Sequence, residues 1–429
     1  MRVLCAADIH IGRTSTRLPS TSNPSEFTCS SAWNRIVECA LFQKVDCLVL
    51  AGDIVDRDNS RFEALDSLEK GLQTLSEANI RVYAVSGNHD PVTLQQIADG
   101  LDIPNFKMLG LAGNWECTED PSGLRVLGRS YSKSDELSNP MDSFPESPHD
   151  AGSTLAIFHS SLSSTAGTYA PTSIAELAAH SKVTWVVGHI HQGSASIWMP
   201  SRNVIVPGSP QALNPRESGT HGVCIVSFEG TGIPDLEFIP ISSLQYERLN
   251  IPLDGVQSEM EIPERIRSCV QPVRENAFSS NPHLKLLSLR VTFTGCTPLY
   301  NCIRSIVADL AREGSLDLGP EIQLEKFKLE TGPCIDLDSL AKAEDVSARL
   351  ASLIKSIDSA EVTIESQALL QTCLDYAAKT HARPAFSPIA FQKTGEQEDQ
   401  IPDIEQVTEI VRTQAMTLLS ELISQRECD

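Results

Sequence analysis

The sequence predicts an α/β fold, because short β-rich runs alternate with stretches that have helical spacing. The predicted strands are Val3–Ala7, Cys47–Ala51, Arg81–Val85, Leu124–Leu127, Thr154–Phe158, Val183–Val187 and Val204–Val206. Amphipathic stretches around Ala32–Phe42 and Phe62–Leu75 separate the first three strands and predict helices. Most of the strands are apolar along their whole length, which is typical of strands buried on both faces of a sheet. The pattern therefore predicts sheets that are covered by other layers of the protein.

A second pattern begins after about residue 245 and predicts further domains. Apolar residues alternate along 287–293 as in a half-exposed strand, Leu299–Ala311 suits a helix, and Ile322–Leu329 suits another strand. We expect a catalytic domain over 1–245, a smaller α+β cap or substrate domain over 246–335, a helical segment and linker over 336–400, and a C-terminal helix over 401–429. Apolar residues recur every three or four positions along Ile404–Ser424, so this helix packs either on its own domain or on a partner helix.

The composition indicates a globular protein. The chain has 429 residues, of which 41% are hydrophobic and 21% are charged, so it can form two or three domains with real cores. Twelve cysteines without a C-x-x-C pair indicate buried thiols in a reducing compartment. No run approaches the ~18 apolar residues that span a bilayer, and the N-terminus lacks the core of a signal peptide. We therefore expect a cytoplasmic protein without a membrane-spanning segment.

The net charge of −22 limits how a nucleic acid could bind. The chain holds 34 Lys and Arg against 56 Asp and Glu. An acidic protein does not attract a polyanion through its overall field. A nucleic-acid substrate would therefore need a local patch, bound metals or a partner protein.

Five short motifs each close a predicted strand. They are Asp8-Ile9-His10, Gly52-Asp53-Ile54-Val55-Asp56, Gly87-Asn88-His89-Asp90, Phe158-His159-Ser160 and Gly188-His189-Ile190-His191. Singly, each is weak, because Gly-Asp and Gly-Asn are common turn pairs. Together they bring Asp, Asn and His, without Cys, to the strand ends where α/β sheets bind ligands. This ligand set suits a hard-to-borderline divalent metal ion rather than structural zinc.

In this order the motifs resemble those of the calcineurin-like metallophosphoesterases: D-x-H, G-D-x-x-D, G-N-H-D, a solitary His, and G-H-x-H. The resemblance spans Asp8–His191 and implies a four-layer α/β sandwich, with two mixed β-sheets flanked by helices. It also implies a centre of two divalent ions, with manganese expected first and Fe²⁺, Mg²⁺ or Zn²⁺ as alternatives. The implied ligands are Asp8, His10 and His191 for one metal, Asn88, His159 and His189 for the other, and Asp53 as the bridge.

The resemblance implies separate roles for the remaining motif residues. His89 would be the catalytic proton donor to the leaving oxygen, and Asp90 would hold the His89 ring. A turn or N-cap role for Asp90 stays open. Asp56 is either a carboxylate behind the ligands or a surface residue.

Other segments are similar to the SbcD-type DNA repair exonucleases and to their bacterial YhaO-like branch. They are Ala7–Gly12, Leu50–Arg57, Gly188–Gly193, Pro207–Gln211 and Asn214–Gly219. This resemblance implies a manganese-dependent DNA exonuclease or endonuclease in DNA repair, with two-metal activation of water, a coiled-coil ATPase partner and a homodimer. Archaeal and eukaryotic members of the group carry a histidine where this chain has Asp56, so the preference between exonuclease and endonuclease stays open.

Two other functions fit the same motifs. A small-molecule phosphodiesterase or nucleotide pyrophosphatase would share the metals and suits the acidic charge, although it has no need of the 184 residues after 245. An inactive scaffold that regulates an ATPase would not need the full ligand set. We therefore favour the nuclease.

Overall fold

In the computed structural model, the chain folds into an α/β protein with helical segments towards the C-terminus. It describes residues 1–20, 22–56, 61–145, 153–162, 169–192, 203–229, 234–313, 316–358, 363–381 and 403–427. The chain divides into two compact units. The first comprises Met1–Leu249, Val270–Val291 and Leu318–Lys326, and the second comprises Asn250–Cys269, Thr292–Asp317 and Phe327–Asp429. The part of the predicted helical segment and linker that covers 382–400 lies outside the described residues.

Eleven strands build the two main sheets of the first unit. In chain order they are β1 (Arg2–Ala6), β2 (Cys47–Ala51), β3 (Arg81–Val85), β4 (Phe106–Met108), β5 (Glu116–Glu119), β6 (Arg125–Arg129), β7 (Thr154–His159), β8 (Val183–Gly188), β9 (Val204–Ile205), β10 (Gly222–Ser227) and β11 (Asp235–Pro240). The first sheet has the order β11-β10-β1-β2-β3-β4, and the second has the order β5-β6-β7-β8-β9. Both sheets are mixed, because β10, β11 and β5 pair antiparallel while the other pairs are parallel.

The central strands of the first sheet, β1, β2 and β3, are buried on both faces, as their apolar sequences predict. Helices α1 (Cys29–Gln43), α2 (Arg61–Glu77) and α3 (Thr93–Gly100) follow β1, β2 and β3 in the chain. Along β2, Leu48 and Leu50 belong to the core beneath these helices, whereas Val49 belongs to the core beneath the second sheet. This alternation follows from the two-residue period of a strand.

The second sheet completes the layers. Ile157 of β7 faces the core shared with the first sheet, while Phe158 and Trp185 face an outer core that includes Leu177 of α4 (Ile174–Ala179). The order of layers is helices, sheet, sheet and helix. The predicted sandwich of two mixed sheets flanked by helices is therefore confirmed.

The remaining elements follow residue 243. They are β12 (Leu244–Pro252), α5 (Ile262–Ser280), β13 (Leu286–Cys296), α6 (Ile303–Glu313), β14 (Ile322–Gly332), α7 (Leu337–Leu340), α8 (Val346–Asp358), α9 (Ile364–His381) and α10 (Ile404–Glu427). Strands β12, β13 and β14 form a third sheet in that order. The second unit has a small core in which Ala351 and Ile354 of α8 meet Ala415 and Leu419 of α10. Within the part of the chain that is described, no helix is long and apolar enough to cross a bilayer.

Candidate metal centre

The seven predicted ligands converge at one edge of the two main sheets. Asp8 and His10 follow β1, Asp53 follows β2, Asn88 follows β3, His159 ends β7, and His189 and His191 follow β8. Asp8, His10, Asp53 and His159 are buried, and the other three are partly exposed. Because these strands are parallel within each sheet, their carboxyl ends meet there. The structure therefore brings together all seven residues, although their binding of metal stays a prediction.

Four of these residues have a left-handed backbone. The φ angles are 51° at Asp8, 55° at His10, 48° at Asp53 and 96° at His189. This region is uncommon for residues other than glycine, and it costs about 1–3 kcal/mol for each such residue. Hydrogen bonds from Asp8 N–H to Gly52 O and from His10 N–H to Asp53 O, 3.1 and 2.9 Å, hold the strand-end loops in this form. Such strain is characteristic of functional sites.

Glycines allow the strand ends to approach each other. A Cβ atom on Gly52, whose φ is +87°, would lie 2.5 Å from His159 Nδ1. A Cβ atom on Gly87 would overlap the Asp53 carboxylate, and one on Gly188 would overlap Ala51 O. The glycine in each motif thus leaves the space that the neighbouring motif occupies.

One group of donors surrounds His10. Its Nε2 atom lies 3.0 Å from His191 Nε2 and 3.8 Å from Asp53 Oδ2. His191 Nε2 in turn lies 3.8 Å from Asp8 Oδ1. Two imidazole nitrogens and two carboxylates therefore point at one small volume.

A second group surrounds Asn88. Its Oδ1 atom lies 3.1 Å from His159 Nε2 and 3.2 Å from His189 Nδ1. His159 Nε2 also lies 3.4 Å from Asp53 Oδ2. The same Asp53 oxygen thus reaches both groups of donors, as a bridging ligand must.

The rear nitrogens of His159 and His191 are held by hydrogen-bond acceptors, and the rear nitrogen of His10 faces the Asp56 carboxylate without forming a hydrogen bond to it. His10 Nδ1 lies 3.2 Å from Asp56 Oδ1, His159 Nδ1 lies 3.0 Å from Ala51 O, and His191 Nδ1 lies 3.1 Å from Glu217 Oε1. An acceptor behind the ring fixes the tautomer and leaves the other nitrogen free to bind a metal. Carboxylates, imidazoles and one amide oxygen, with no thiolate, therefore fit two divalent ions such as manganese.

Asp56, rather than Asp90, contacts the His89 ring. His89 Nδ1 lies 2.6 Å from Asp56 O and 3.5 Å from Asp56 Oδ1, and Arg13 lies 3.6 Å from the same carboxylate. The Asp90 carboxylate instead accepts hydrogen bonds from the N–H groups of Ile54, Val55 and Gly87. The expectation that Asp90 holds the ring is therefore wrong, because its oxygens organise the loops that carry Asp53 and Asn88.

The charges of the centre depend on each other. Burial would raise the pKa of the Asp53 carboxyl, but the charge and hydrogen bond of His159 hold that pKa well below its usual range. Burial would lower the pKa of His159, but Asp53 outweighs this and raises it to about 9. Burial and the charge of His159 lower the pKa of His189 to about 4. Without metal at neutral pH, His159 is therefore charged while His189 is neutral.

Electrostatics also favour a protonated His89. The hydrogen bond from its ring to Asp56 raises the pKa of His89, and this effect outweighs burial. The His89 side chain is 27% exposed, so a substrate can reach it. This position suits a proton donor, although the role itself stays a prediction.

Glu217 is the residue that the motifs did not reveal. Its carboxylate contacts His191 and also accepts hydrogen bonds from Leu213 N–H and Asn214 Nδ2, both at 2.7 Å. His221, which lies outside the motifs, is buried, and its Nε2 lies 3.3 Å from Glu217 O. The signal available in the sequence was the Asn214–Gly219 segment, which carries no metal motif of its own.

Comparison with known proteins agrees with this geometry. Residues 1–193 match the family model of the calcineurin-like phosphoesterases. These residues form a calcineurin-like phosphoesterase domain. Members of this family are hydrolytic enzymes that act on phosphoesters. The seven predicted ligands all lie within the matched residues, whereas Glu217, which contacts His191, lies outside them.

Three relatives are similar to longer or shorter parts of this chain. The uncharacterized metallophosphoesterase YhaO of Bacillus subtilis is 29% identical over 233 residues, which are 52% of this chain and 56% of that protein. The DNA double-strand break repair protein Mre11 of Methanopyrus kandleri is 23% identical over 350 residues, 74% of each chain. The SbcD subunit of the nuclease SbcCD from Rhodobacter capsulatus is 40% identical over 128 residues, 29% of each chain. The predicted likeness to the SbcD and YhaO group is therefore confirmed.

Proposed function

We propose that this protein is a metal-dependent nuclease that hydrolyses the phosphodiester bonds of DNA. The observation that carries this proposal is the position of Asp53, whose Oδ2 atom lies 3.8 Å from His10 Nε2 and 3.4 Å from His159 Nε2, between two groups of metal donors. The relatives named Mre11 and SbcCD support DNA as the substrate. We further propose that the bound metal is manganese, that the protein acts in DNA repair in the cytoplasm, and that it forms a homodimer.

The residues of the metal centre have separate proposed roles in metal binding and proton donation. Two divalent ions, when bound, would supply an activated water and positive charge that offsets the charge of the phosphate. Asp8, His10 and His191 would hold one ion, Asn88, His159 and His189 would hold the other, and Asp53 would bridge them. His89, whose Nδ1 is engaged by Asp56, has its Nε2 available to give a proton to the leaving oxygen.

The acidic charge is explained best by a DNA-binding partner. We propose that a coiled-coil ATPase of the SMC type presents the DNA, and that α10 docks on it. The inner face of α10 packs on α8, but Ile410 and Leu418 are 55% and 47% exposed beside Cys373 and Ala377 of α9. Exposed apolar residues at helical spacing suit a partner helix. Changing Ile410 and Leu418 to Asp should abolish co-purification with the ATPase, whereas Glu405→Gln should not.

The proposed DNA substrate is tested with purified protein in a buffer that contains Mn²⁺. Wild type, His89→Ala and the matched control His283→Ala are incubated with linear double-stranded DNA, single-stranded DNA and bis-p-nitrophenyl phosphate. We expect cleavage of DNA by wild type and by His283→Ala, and a loss of about 10²–10⁴-fold in His89→Ala if this residue is the general acid. Cleavage of the small ester alone would favour the small-molecule phosphodiesterase, which the net charge of −22 suits. Equal activity in His89→Ala would exclude its acid role.

A further inference from the structure

Arg13 carries a positive charge beside the metal centre that the chemistry above does not use. Its Nη1 atom lies 3.6 Å from Asp56 Oδ1, and the same oxygen lies 3.5 Å from His89 Nδ1. A single carboxylate oxygen therefore separates the Arg13 guanidinium from the ring of the predicted proton donor. Among the described residues, the guanidinium has this ion pair and no hydrogen bond, so its N–H donors remain available to a ligand.

The exposure of the side chains places Arg13 on the solvent side of this cluster. The exposed fraction rises from 0% at His10 to 17% at Asp56, 27% at His89 and 35% at Arg13. The backbone of Arg13 is fixed, because its N–H donates to His10 O at 3.0 Å and its carbonyl accepts from Cys29 N–H at 2.9 Å. Arg13 therefore holds a cation at the open rim of the centre.

The loop that carries Arg13 is joined to a second loop with the same outward charge. Thr16 N–H donates to Leu213 O at 2.9 Å, which connects residues 13–17 to residues 213–217. The one acidic residue in these two ranges, Glu217, is buried against the metal centre. The arginines of the two ranges, all exposed or partly exposed, are Arg13, Arg17 and Arg216. Such a local patch is what a chain with a net charge of −22 needs in order to hold a polyanion.

We propose that Arg13 binds the phosphate next to the scissile phosphate, on the leaving-group side of a nucleic-acid strand. This inference rests on the proposed function, because it needs a DNA strand at the metal centre. His89 would donate its proton to the leaving oxygen, so the nucleotide that carries this oxygen lies on the side of His89 and Arg13. A guanidinium binds phosphate oxygens through two parallel N–H donors. The preferred substrate therefore has at least two phosphates in one strand, which a small phosphodiester lacks.

Arg13→Gln is the direct test because it removes the charge, and Arg13→Lys keeps the charge without the fork of donors. The matched control is Arg81→Gln, since Arg81 is 34% exposed and also pairs with a carboxylate, that of Asp120. Arg81 begins β3, whereas the metal donors lie beyond the other end of that strand. For each protein in Mn²⁺, kcat/KM is measured with a single-stranded oligothymidylate, over a range of salt concentrations, and with bis-p-nitrophenyl phosphate, which has one phosphate.

The two substrates should respond differently to the loss of Arg13. Arg13→Gln should lower kcat/KM for the oligonucleotide about 10-fold and should match wild type on the small ester. It should also reduce the slope of log kcat/KM against log salt concentration by about 0.7, whereas Arg13→Lys should keep that slope. Arg81→Gln should match wild type on both substrates. An equal fall on both substrates would mean that Arg13 only orients Asp56 and His89, and either this result or unchanged cleavage of the oligonucleotide overturns the inference.

The failure of this inference can be separated from the failure of the proposed function. If wild type cleaves the small ester but not the oligonucleotide, the proposed nuclease function fails. Binding of a fluorescently labelled oligothymidylate to the Mn²⁺-loaded protein, measured by anisotropy, then still tests Arg13. About 10-fold weaker binding by Arg13→Gln than by wild type supports the phosphate contact. Equal affinity of the two proteins, or no binding by wild type, overturns it.

Discussion

Replacing Glu217 with Gln should weaken metal binding although Glu217 is not itself a predicted ligand. The two carboxylate oxygens of Glu217 serve three donors: the rear nitrogen of His191 at 3.1 Å, and Leu213 N–H and Asn214 Nδ2 at 2.7 Å. Glutamine is nearly the same size but is neutral and offers only one acceptor oxygen. At least one of the three donors must therefore lose its partner.

The expected size of the effect follows from these contacts. Loss of an acceptor behind a metal-binding imidazole costs about 10–100-fold in metal affinity, or about 1.4–2.7 kcal/mol. The Glu217 side chain is only 11% exposed, so solvent cannot replace the lost acceptor. The unpartnered donor should also lower the free energy of unfolding by about 1–3 kcal/mol. Glu217→Ala, which removes both oxygens, should reach the upper end of both ranges.

Calorimetric titration with Mn²⁺ and thermal unfolding of the metal-free protein measure the two effects separately. Glu237→Gln is the matched control, because Glu237 is 62% exposed and its ion pair with Arg2 is 3.8 Å long. This surface pair should contribute at most about 1 kcal/mol and leave Mn²⁺ binding unchanged. A folded Glu217→Ala protein with the Mn²⁺ affinity of wild type would refute the reasoning, because it would show that His191 needs no acceptor behind it.

Two further predictions concern the packing and the protons of the centre. Gly188→Ala would push a methyl group into Ala51 O and to within 2.6 Å of His159 Nδ1. It should therefore destabilise the protein by about 1–3 kcal/mol and weaken Mn²⁺ binding. Gly100→Ala is the control and should have neither effect, because no atom lies within 4 Å of the added methyl group. Unchanged unfolding and titration curves for Gly188→Ala would contradict this. Asp53 raises the pKa of His159 to about 9, so the stability from this pair is full below about pH 6.5 and is lost as the pH rises through 9. Mn²⁺ must displace the proton of His159, so the affinity of the protein for Mn²⁺ should rise between about pH 6.5 and pH 9. Calorimetric titration at pH 7 in buffers of different ionisation enthalpy should detect the released proton. A pH-independent affinity would contradict the assignment of the charge to His159.

The fold was predictable from the sequence because it depends on local patterns, and the strand ends where it brings the predicted ligands together are visible in the same patterns. Strands such as β2 and β3 are apolar throughout and end at a motif, so the type of element and its boundary are both visible in the sequence. Other elements lack such a pattern. Helix α5 carries Pro272 in its interior and a largely polar sequence, so it was not predicted. Helix α9 has weak amphipathic spacing, so its bounds within the predicted helical segment and linker over 336–400 were not predicted. Their formation depends on tertiary packing, which short-range spacing does not reveal.

The residues behind the ligands were harder to predict for a related reason. Asp56 and Asp90 lie close to the motif residues in sequence, and only the folded loops decide that Asp56 meets His89 while Asp90 binds backbone N–H groups. Glu217 lies 26 residues after His191, and their contact depends on the loop between β9 and β10. A residue's type can suggest that it binds a metal, but the acceptor behind a ligand is chosen by geometry alone.

The backbone strain at four of the predicted ligands requires well-buried strands beside them. Four residues in left-handed conformations cost about 4–12 kcal/mol together, which is comparable to the net stability of a whole domain at about 5–15 kcal/mol. The hydrogen bonds between the loops of Asp8 and Asp53 offset part of this cost, and the strands that precede them must offset the rest. Strands β1, β2, β7 and β8 are buried almost throughout, between two sheets and their covering layers. The apolar runs that predict the fold are therefore also what allows Asp8, His10, Asp53 and His189 to hold conformations that a less buried loop would not maintain.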